Sequence, residues 1–145
     1  MRKLQIGMIL GAGLWCLAIL LPTFVSAEWI RLFFAPICHQ IPERSFWLFG
    51  KPLSVCARCS GFYFGFFSGL ILHWIFRIPA CRAALRTMLV IILVDVANGF
   101  LGVYPDLAVG RFCGAFLFSV LVTPFVVQGL YEAARSLHQT EVQIP

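Results

Sequence analysis

Charged side chains are scarce in this chain of 145 residues, where Lys, Arg, Asp and Glu together make up 12% of the composition. Soluble domains carry about a quarter charged residues, so the shortage of charge excludes an ordinary soluble domain. The formal net charge is +5. It does not indicate nucleic-acid binding, because the basic residues stand at the ends of apolar segments and form no continuous basic stripe.

Long apolar runs take the place of the missing charge, and 61% of the residues are hydrophobic. A helix needs about twenty apolar residues to cross the hydrocarbon core, where its backbone must satisfy its own hydrogen bonds. Four segments have this length, at roughly 4–25, 57–78, 85–104 and 107–130. The sequence therefore predicts an all-α integral membrane four-helix bundle, a single membrane domain over 1–145. A polar insert at 31–56 separates its first two spans.

Two features qualify these spans. The first span resembles a secretory signal peptide, with basic residues before the apolar run and the small residues Val25 and Ala27 before a cleavage position. Its apolar run is longer than a usual signal core, which favours a retained helix. In the fourth span, Pro124 predicts a kink or a local break.

Basic residues near the ends of the spans predict the orientation. The expected location is a prokaryotic plasma (inner) membrane. Both termini are expected on its inner, cytoplasmic side and the insert on its outer side. The opposite orientation stays open, because the excess of inner over outer basic residues is one. The inner group is Arg2, Lys3, Arg77, Arg82, Arg86 and Arg135, and the outer group is Arg31, Arg44, Lys51, Arg58 and Arg111.

Small residues recur every four positions in three of the spans. Such faces let two helices approach closely. They predict helix packing within one chain, and a homodimer through one of them is the alternative. The glycines concerned are Gly61, Gly65 and Gly69, then Gly7 with Gly11, and Gly110 with Gly114.

Reactive side chains are gathered in the insert. Cys56 and Cys59 form a C-x-x-C at the start of the second span, where positions i and i+3 share one face of a helix. The helix N-terminus and Arg58 both favour the thiolate. Cys38 and His39 lie upstream, across a loop stiffened by prolines.

Three cysteines and one histidine make a tetrahedral zinc-type ligand set. Cys38, His39, Cys56 and Cys59 are therefore the predicted metal ligands, and zinc is the predicted cofactor. Cys113 is the alternative to His39, since adjacent residues seldom bind the same ion.

The same cysteines also suit thiol–disulfide exchange. A C-x-x-C at a helix start in a four-helix membrane bundle resembles the quinone-coupled oxidoreductases that generate disulfides. In this alternative Cys56 is the more exposed thiol, Cys59 its partner and Cys38 a relay, with a quinone near Asp95 or Arg111. One structural disulfide that clamps the insert is the third use of these thiols.

Polar residues in the third span form a second group of candidates. An ionised aspartate near a helix centre costs about 2.5–3.5 kcal/mol on insertion scales, so Asp95 is expected to be paired or functional. Asn98 shares its face, and Arg111 is predicted to approach it from the fourth span. The candidates for a catalytic role are Asp95, Arg111, Asn98, Arg44 and Arg58. An ion pair that only holds the bundle together is the alternative.

Two motifs in the insert are distinctive, "CHQIPERSF" from Cys38 and "CARCSGFYFG" from Cys56. Together with an aspartate in the third span and "GRFCG" in the fourth, they resemble a bacterial and archaeal membrane-protein family named domain of unknown function 2085. The resemblance covers roughly residues 33–115 and implies a small helical membrane protein with a Cys-His insert, but no activity. The matching positions are Cys38, His39, Gln40, Pro42, Arg44, Ser45, Cys56, Arg58, Cys59, Gly61, Tyr63, Gly65, Asp95 and Arg111.

The leading hypothesis is therefore a small polytopic membrane protein, with the lipid bilayer as its surroundings and a Cys/His zinc site at the mouth of the helix bundle. The first alternative is a membrane thiol–disulfide oxidoreductase. The second is a structural accessory subunit or a small transporter.

Overall fold

The computed structural model describes residues 2–25, 28–101 and 108–142. The described chain is mostly helical, with a 3-10 turn at Pro42–Arg44 and a hairpin of β1 (Trp47–Leu48) and β2 (Lys51–Pro52). Its helices are α1 (Arg2–Phe24), α2 (Glu28–Phe34), α3 (Ala57–Phe76), α4 (Arg82–Leu101) and α5 (Ala108–Val142).

Three helices in the described part of the chain are long and apolar enough to cross a membrane: Lys3–Phe24, Ala57–Phe76 and Ala108–Ser136. They correspond to the first, second and fourth predicted spans. The third predicted span corresponds to α4, which is not among these three. Some predicted residues lie outside the described part of the chain. They are residues 102–104 of the third span, residue 107 of the fourth span, and Ala27 before the predicted cleavage position.

Helix α3 is packed most closely against α5, through the predicted glycine face. A Cβ added to Gly65 would lie 2.9 Å from the Cα of Phe116, and one added to Gly69 would lie 3.0 Å from the Cβ of Thr123. Gly61 is equally close to the backbone of α5. The Ser119 hydroxyl donates a hydrogen bond to the Phe62 carbonyl at 2.8 Å. The prediction of close helix packing within one chain is confirmed for this face.

The glycine pairs of the first and fourth spans do not pack against another helix of the described chain in the way that the prediction required. A Cβ added at Gly7, Gly11, Gly110 or Gly114 would meet nothing within 4 Å. Spacing alone cannot tell which side of a helix faces a neighbour, and these pairs face open space. The homodimer alternative stays a prediction.

The pairing of residues shows that α3 and α5 run parallel, since Gly61 lies against Phe112 and Gly69 against Thr123. Helix α1 runs antiparallel to α3: Cys16 donates to the Tyr63 carbonyl at 3.6 Å, and the Ser54 hydroxyl to the Ile19 carbonyl at 3.2 Å. The end of α1 and the starts of α3 and α5 therefore meet at one end of the molecule, which we name the mouth.

The segment predicted as a polar insert is folded on an apolar core. Ile30 and Phe34 of α2 are buried with Ile19, Cys38 and Val55. Trp15 packs edge-on against Phe34, with ring centroids 5.4 Å apart. Sequence reasoning did not predict α2, which is only seven residues long.

The fourth predicted span is longer than expected and is not broken. Helix α5 continues through Pro124 to Val142, because the residues after Leu130 include good helix formers such as Glu132, Ala133 and Ala134. Of the kink or local break predicted at Pro124, the break is wrong, and the kink stays a prediction.

Candidate functional site

Cys38 is positioned by the turn that ends α2. Its N–H donates to the Phe34 carbonyl at 2.9 Å, and its side chain is 5% exposed within the core of the insert. The next residues turn sharply, since Gln40 has a φ of 51°. The backbone thus holds one sulfur in place while the chain leads away toward the hairpin.

Cys56 and Cys59 are positioned by the start of α3. Cys56 is the residue before the first turn, in extended conformation, and Cys59 lies one turn later. The Sγ atoms of Cys38, Cys56 and Cys59 all lie within 4.8 Å of one another. Sulfur ligands of a tetrahedral zinc ion stand about 3.8 Å apart, given Zn–S bonds of about 2.3 Å. The three sulfurs are therefore close to the separation that a zinc ion requires.

Hydrogen bonds within the cluster favour a thiolate. The Cys56 N–H donates to the Cys38 Sγ at 3.2 Å. The pKa of the Cys56 thiol is lowered, chiefly by hydrogen bonds from the side chains of Cys38 and Cys59 and further by the N–H groups of Cys59 and Arg58, against the opposing effect of burial. Thiolate is the form that binds metal ions.

His39 and Cys113 are not brought into this cluster. His39 is exposed and lines the cavity in front of the thiols, and Cys113 is exposed on α5. Among the described residues, the group of potential ligands within 4.8 Å comprises the three cysteines. The proposal of His39 as the fourth ligand stays a prediction.

Gln40 fastens the Cys38 loop to the segment that leads into α3. Its Nε2 donates to the Arg31 carbonyl at 2.6 Å and to the Ser54 carbonyl at 2.8 Å. Sequence reasoning noted Gln40 only as part of a motif. Its left-handed backbone and its two long-range partners are properties of the folded chain, and they bring Cys38 and Cys56 together.

Asp95 forms an ion pair with Arg58, between α4 and the start of α3. The sequence analysis suggested Arg111 as the residue that could approach Asp95. The ion pair shown for this aspartate is with Arg58, and the approach of Arg111 stays a prediction. Both side chains of the pair keep some exposure, 26% for Arg58 and 35% for Asp95. Because Arg58 follows Cys56 closely, the pair lies beside the thiols near the mouth. Asn98 is half-buried one turn farther along α4.

A cavity of about 410 Å³ opens in front of the three thiols. Arg111 is buried at 6% exposure in its wall. Arg44, from the 3-10 turn, and Arg58 also line it. Three of the five predicted catalytic candidates, Arg44, Arg58 and Arg111, thus line one cavity, and a fourth, Asp95, pairs with Arg58. The arginines come from three separate parts of the chain. The predicted topology placed all three on the outer side, but sequence spacing could not show that they share one cavity.

Comparisons with known proteins agree with the motifs. A family profile described as "Predicted membrane protein (DUF2085)" matches residues 38–125, more than half of the chain. An uncharacterized protein of Methanocaldococcus jannaschii is 40% identical over 62 residues, which cover 42% of this chain and 40% of the relative.

A second uncharacterized protein, from Methanothermobacter thermautotrophicus, is 39% identical over 67 residues, which cover 46% of this chain and 60% of the relative. The matched regions thus span less than two thirds of the relatives' own length. No solved structure matches the chain.

Proposed function

Because the chain belongs to the DUF2085 family of predicted membrane proteins, we propose that it is a polytopic membrane protein that binds a zinc ion at its mouth. Cys38, Cys56 and Cys59 are the ligands in this proposal. The observation that carries it is the convergence of their three sulfurs to within 4.8 Å. They come from two segments of chain that Gln40 holds together.

Four spans are part of this proposal, with α4 as the third. Helices α3 and α5 are parallel, so the chain between them must return to the mouth before α5 begins. The 20 residues of α4 extend about 30 Å, the thickness of the hydrocarbon core. Large apolar side chains of α4 are exposed, as lipid-facing residues are, among them Val90, Leu93 and Val94.

The proposed orientation places both termini inside and the mouth outside, as the distribution of basic residues favours. Glu43 and Cys81 are both exposed. In cells, a membrane-impermeant maleimide should label a single-cysteine Glu43→Cys variant. A second variant retains Cys81 as its only cysteine. The reagent should label this variant only after the cells are permeabilised. The reverse pattern would place the mouth in the cytoplasm.

The fourth position on the ion is proposed to face the cavity. All three cysteines line the cavity together with His39. A protein ligand in that position closes a site and makes it structural, whereas a water or a substrate makes it reactive. An ion held there would polarise a bound ligand or lower the pKa of a bound water.

The test of zinc binding is metal analysis of detergent-purified protein, combined with thiol titration of the same sample. We expect one zinc per chain and three thiols that react only after a chelator is added, because coordinated thiolates are shielded. Protein without stoichiometric metal and with oxidised cysteines would refute the proposal.

Thiol–disulfide exchange is the second candidate, and the free C-x-x-C thiols beside a third cysteine favour it. In this reaction the Cys56 thiolate attacks a substrate disulfide, forming a mixed disulfide and releasing one substrate thiolate. Cys59 then displaces the second substrate sulfur. The substrate gains two electrons and the chain keeps a Cys56–Cys59 disulfide. A quinol would supply the electrons that restore the dithiol, and a quinone would drive the reverse cycle.

Trapping separates this candidate from zinc binding. A Cys59→Ser variant should accumulate mixed disulfides through Cys56, because the resolving thiol is missing. A Cys113→Ser variant serves as the matched control and should accumulate none. If the Cys59→Ser variant shows no mixed disulfide on non-reducing gels from oxidised and from reduced cells, exchange is rejected.

A further inference from the structure

The cavity at the mouth combines three guanidinium groups with apolar walls. Arg44, Arg58 and Arg111 line it, and no carboxylate residue is among its described lining residues. Ile41, Phe62 and Val96 supply apolar surface. A volume of about 410 Å³ lies within the range of small-molecule sites, roughly 300–1,000 Å³.

We propose that this cavity binds a phosphate ester with an apolar group, whose phosphate is held by Arg44, Arg58 and Arg111 beside the thiol cluster. Guanidinium groups bind phosphate oxygens through paired N–H donors. The inference deepens the proposed function by naming the ligand class of the same site. It rests on that function only for the role of the metal, since the arginines bind without it.

Burial strengthens the argument for a built site. Arg111 is 6% exposed, and an ionic interaction gains strength where solvent is excluded. Arg58 is held by its ion pair with Asp95, and its guanidinium therefore has a defined position. Arg44 is exposed at the rim, where it can meet an incoming anion.

Glu43 lines a smaller cleft together with Arg44, Ala108 and Arg111. This carboxylate residue therefore lies close to two of the three arginines, but it is not among the described lining residues of the cavity.

Two sources supply this chemistry: a phospholipid headgroup and a soluble phosphate ester. Trp29 and Trp47 are 70% and 60% exposed near the mouth, and exposed tryptophans are typical of the membrane–water interface. If these tryptophans lie at the interface, headgroup phosphates are at the height of the cavity, and water-soluble esters reach the same opening.

The experiment uses the full chain in maltoside detergent, which contains no phosphate. Calorimetric titrations with phenyl phosphate and inorganic phosphate test the soluble source. Native mass spectrometry after addition of phosphatidic acid tests the lipid source. We expect at least one of these probes to bind. The Arg44→Gln variant should weaken that binding about tenfold, because a charge-assisted hydrogen bond is lost.

Arg77→Gln is the matched control, since Arg77 lies at the far end of α3 and should not affect binding. Arg111→Lys keeps the charge but loses the paired donors, and it should also weaken binding. No binding by any probe to folded protein, or equal binding by Arg44→Gln and Arg77→Gln, would overturn the inference. Metal analysis of the same samples shows separately whether the zinc proposal holds.

Discussion

Replacement of Cys56 by serine is expected to abolish stoichiometric zinc binding. A neutral hydroxyl is a poor substitute for a thiolate ligand, and a site with two remaining sulfurs loses a third of its protein ligands. Loss of a residue that only orients a ligand costs about 10–100-fold in affinity, so loss of the ligand itself should weaken binding at least about a hundredfold. Competition with a chromophoric chelator measures this change. Cys38→Ser and Cys59→Ser should behave alike.

Cys113→Ser provides the matched control for this series. Cys113 is exposed and lies outside the three-sulfur group, so the variant should keep its zinc. A further variant, His39→Ala, distinguishes a closed site from an open one. A large loss of affinity would identify His39 as the fourth ligand, and a small one would leave that position to water or substrate. If Cys113→Ser lost the metal as Cys56→Ser does, the three-thiol site would be wrong.

Replacement of Gly65 by alanine is expected to destabilise the packing of α3 against α5. The added Cβ would lie 2.9 Å from the Cα of Phe116, and a helix backbone cannot move aside as a side chain can. Overpacking of this kind costs about 1–3 kcal/mol, and a backbone clash belongs at the upper end of that range. The apparent melting temperature in detergent should fall by roughly 5–10 °C. Thermal unfolding monitored by circular dichroism measures the shift.

Gly114→Ala is the control, because a Cβ there would meet nothing within 4 Å. Alanine also has the higher helix propensity, by about 1 kcal/mol, so this variant should be as stable as the wild-type chain or slightly more stable. Equal melting temperatures for Gly65→Ala and Gly114→Ala would contradict the observed packing.

Composition and spacing were sufficient for much of the architecture. Low charge and long apolar runs predicted membrane helices, because the hydrocarbon core admits few charges and no unsatisfied backbone. Family membership followed from the motifs around Cys38 and Cys56. The C-x-x-C spacing placed Cys56 and Cys59 on one helix face, because that relation is local in the chain.

Only the tertiary structure decided which distant residues meet. Spacing could not show that Gly61, Gly65 and Gly69 pack against α5 while Gly114 faces open space, since a helix face is defined by its neighbours. Asp95 pairs with Arg58 because α4 brings it beside the start of α3. The convergence of Cys38 with the C-x-x-C, and of three arginines in one cavity, likewise depends on how the helices are joined and packed. The sequence determined which groups are present; the packing determined which of them share a site.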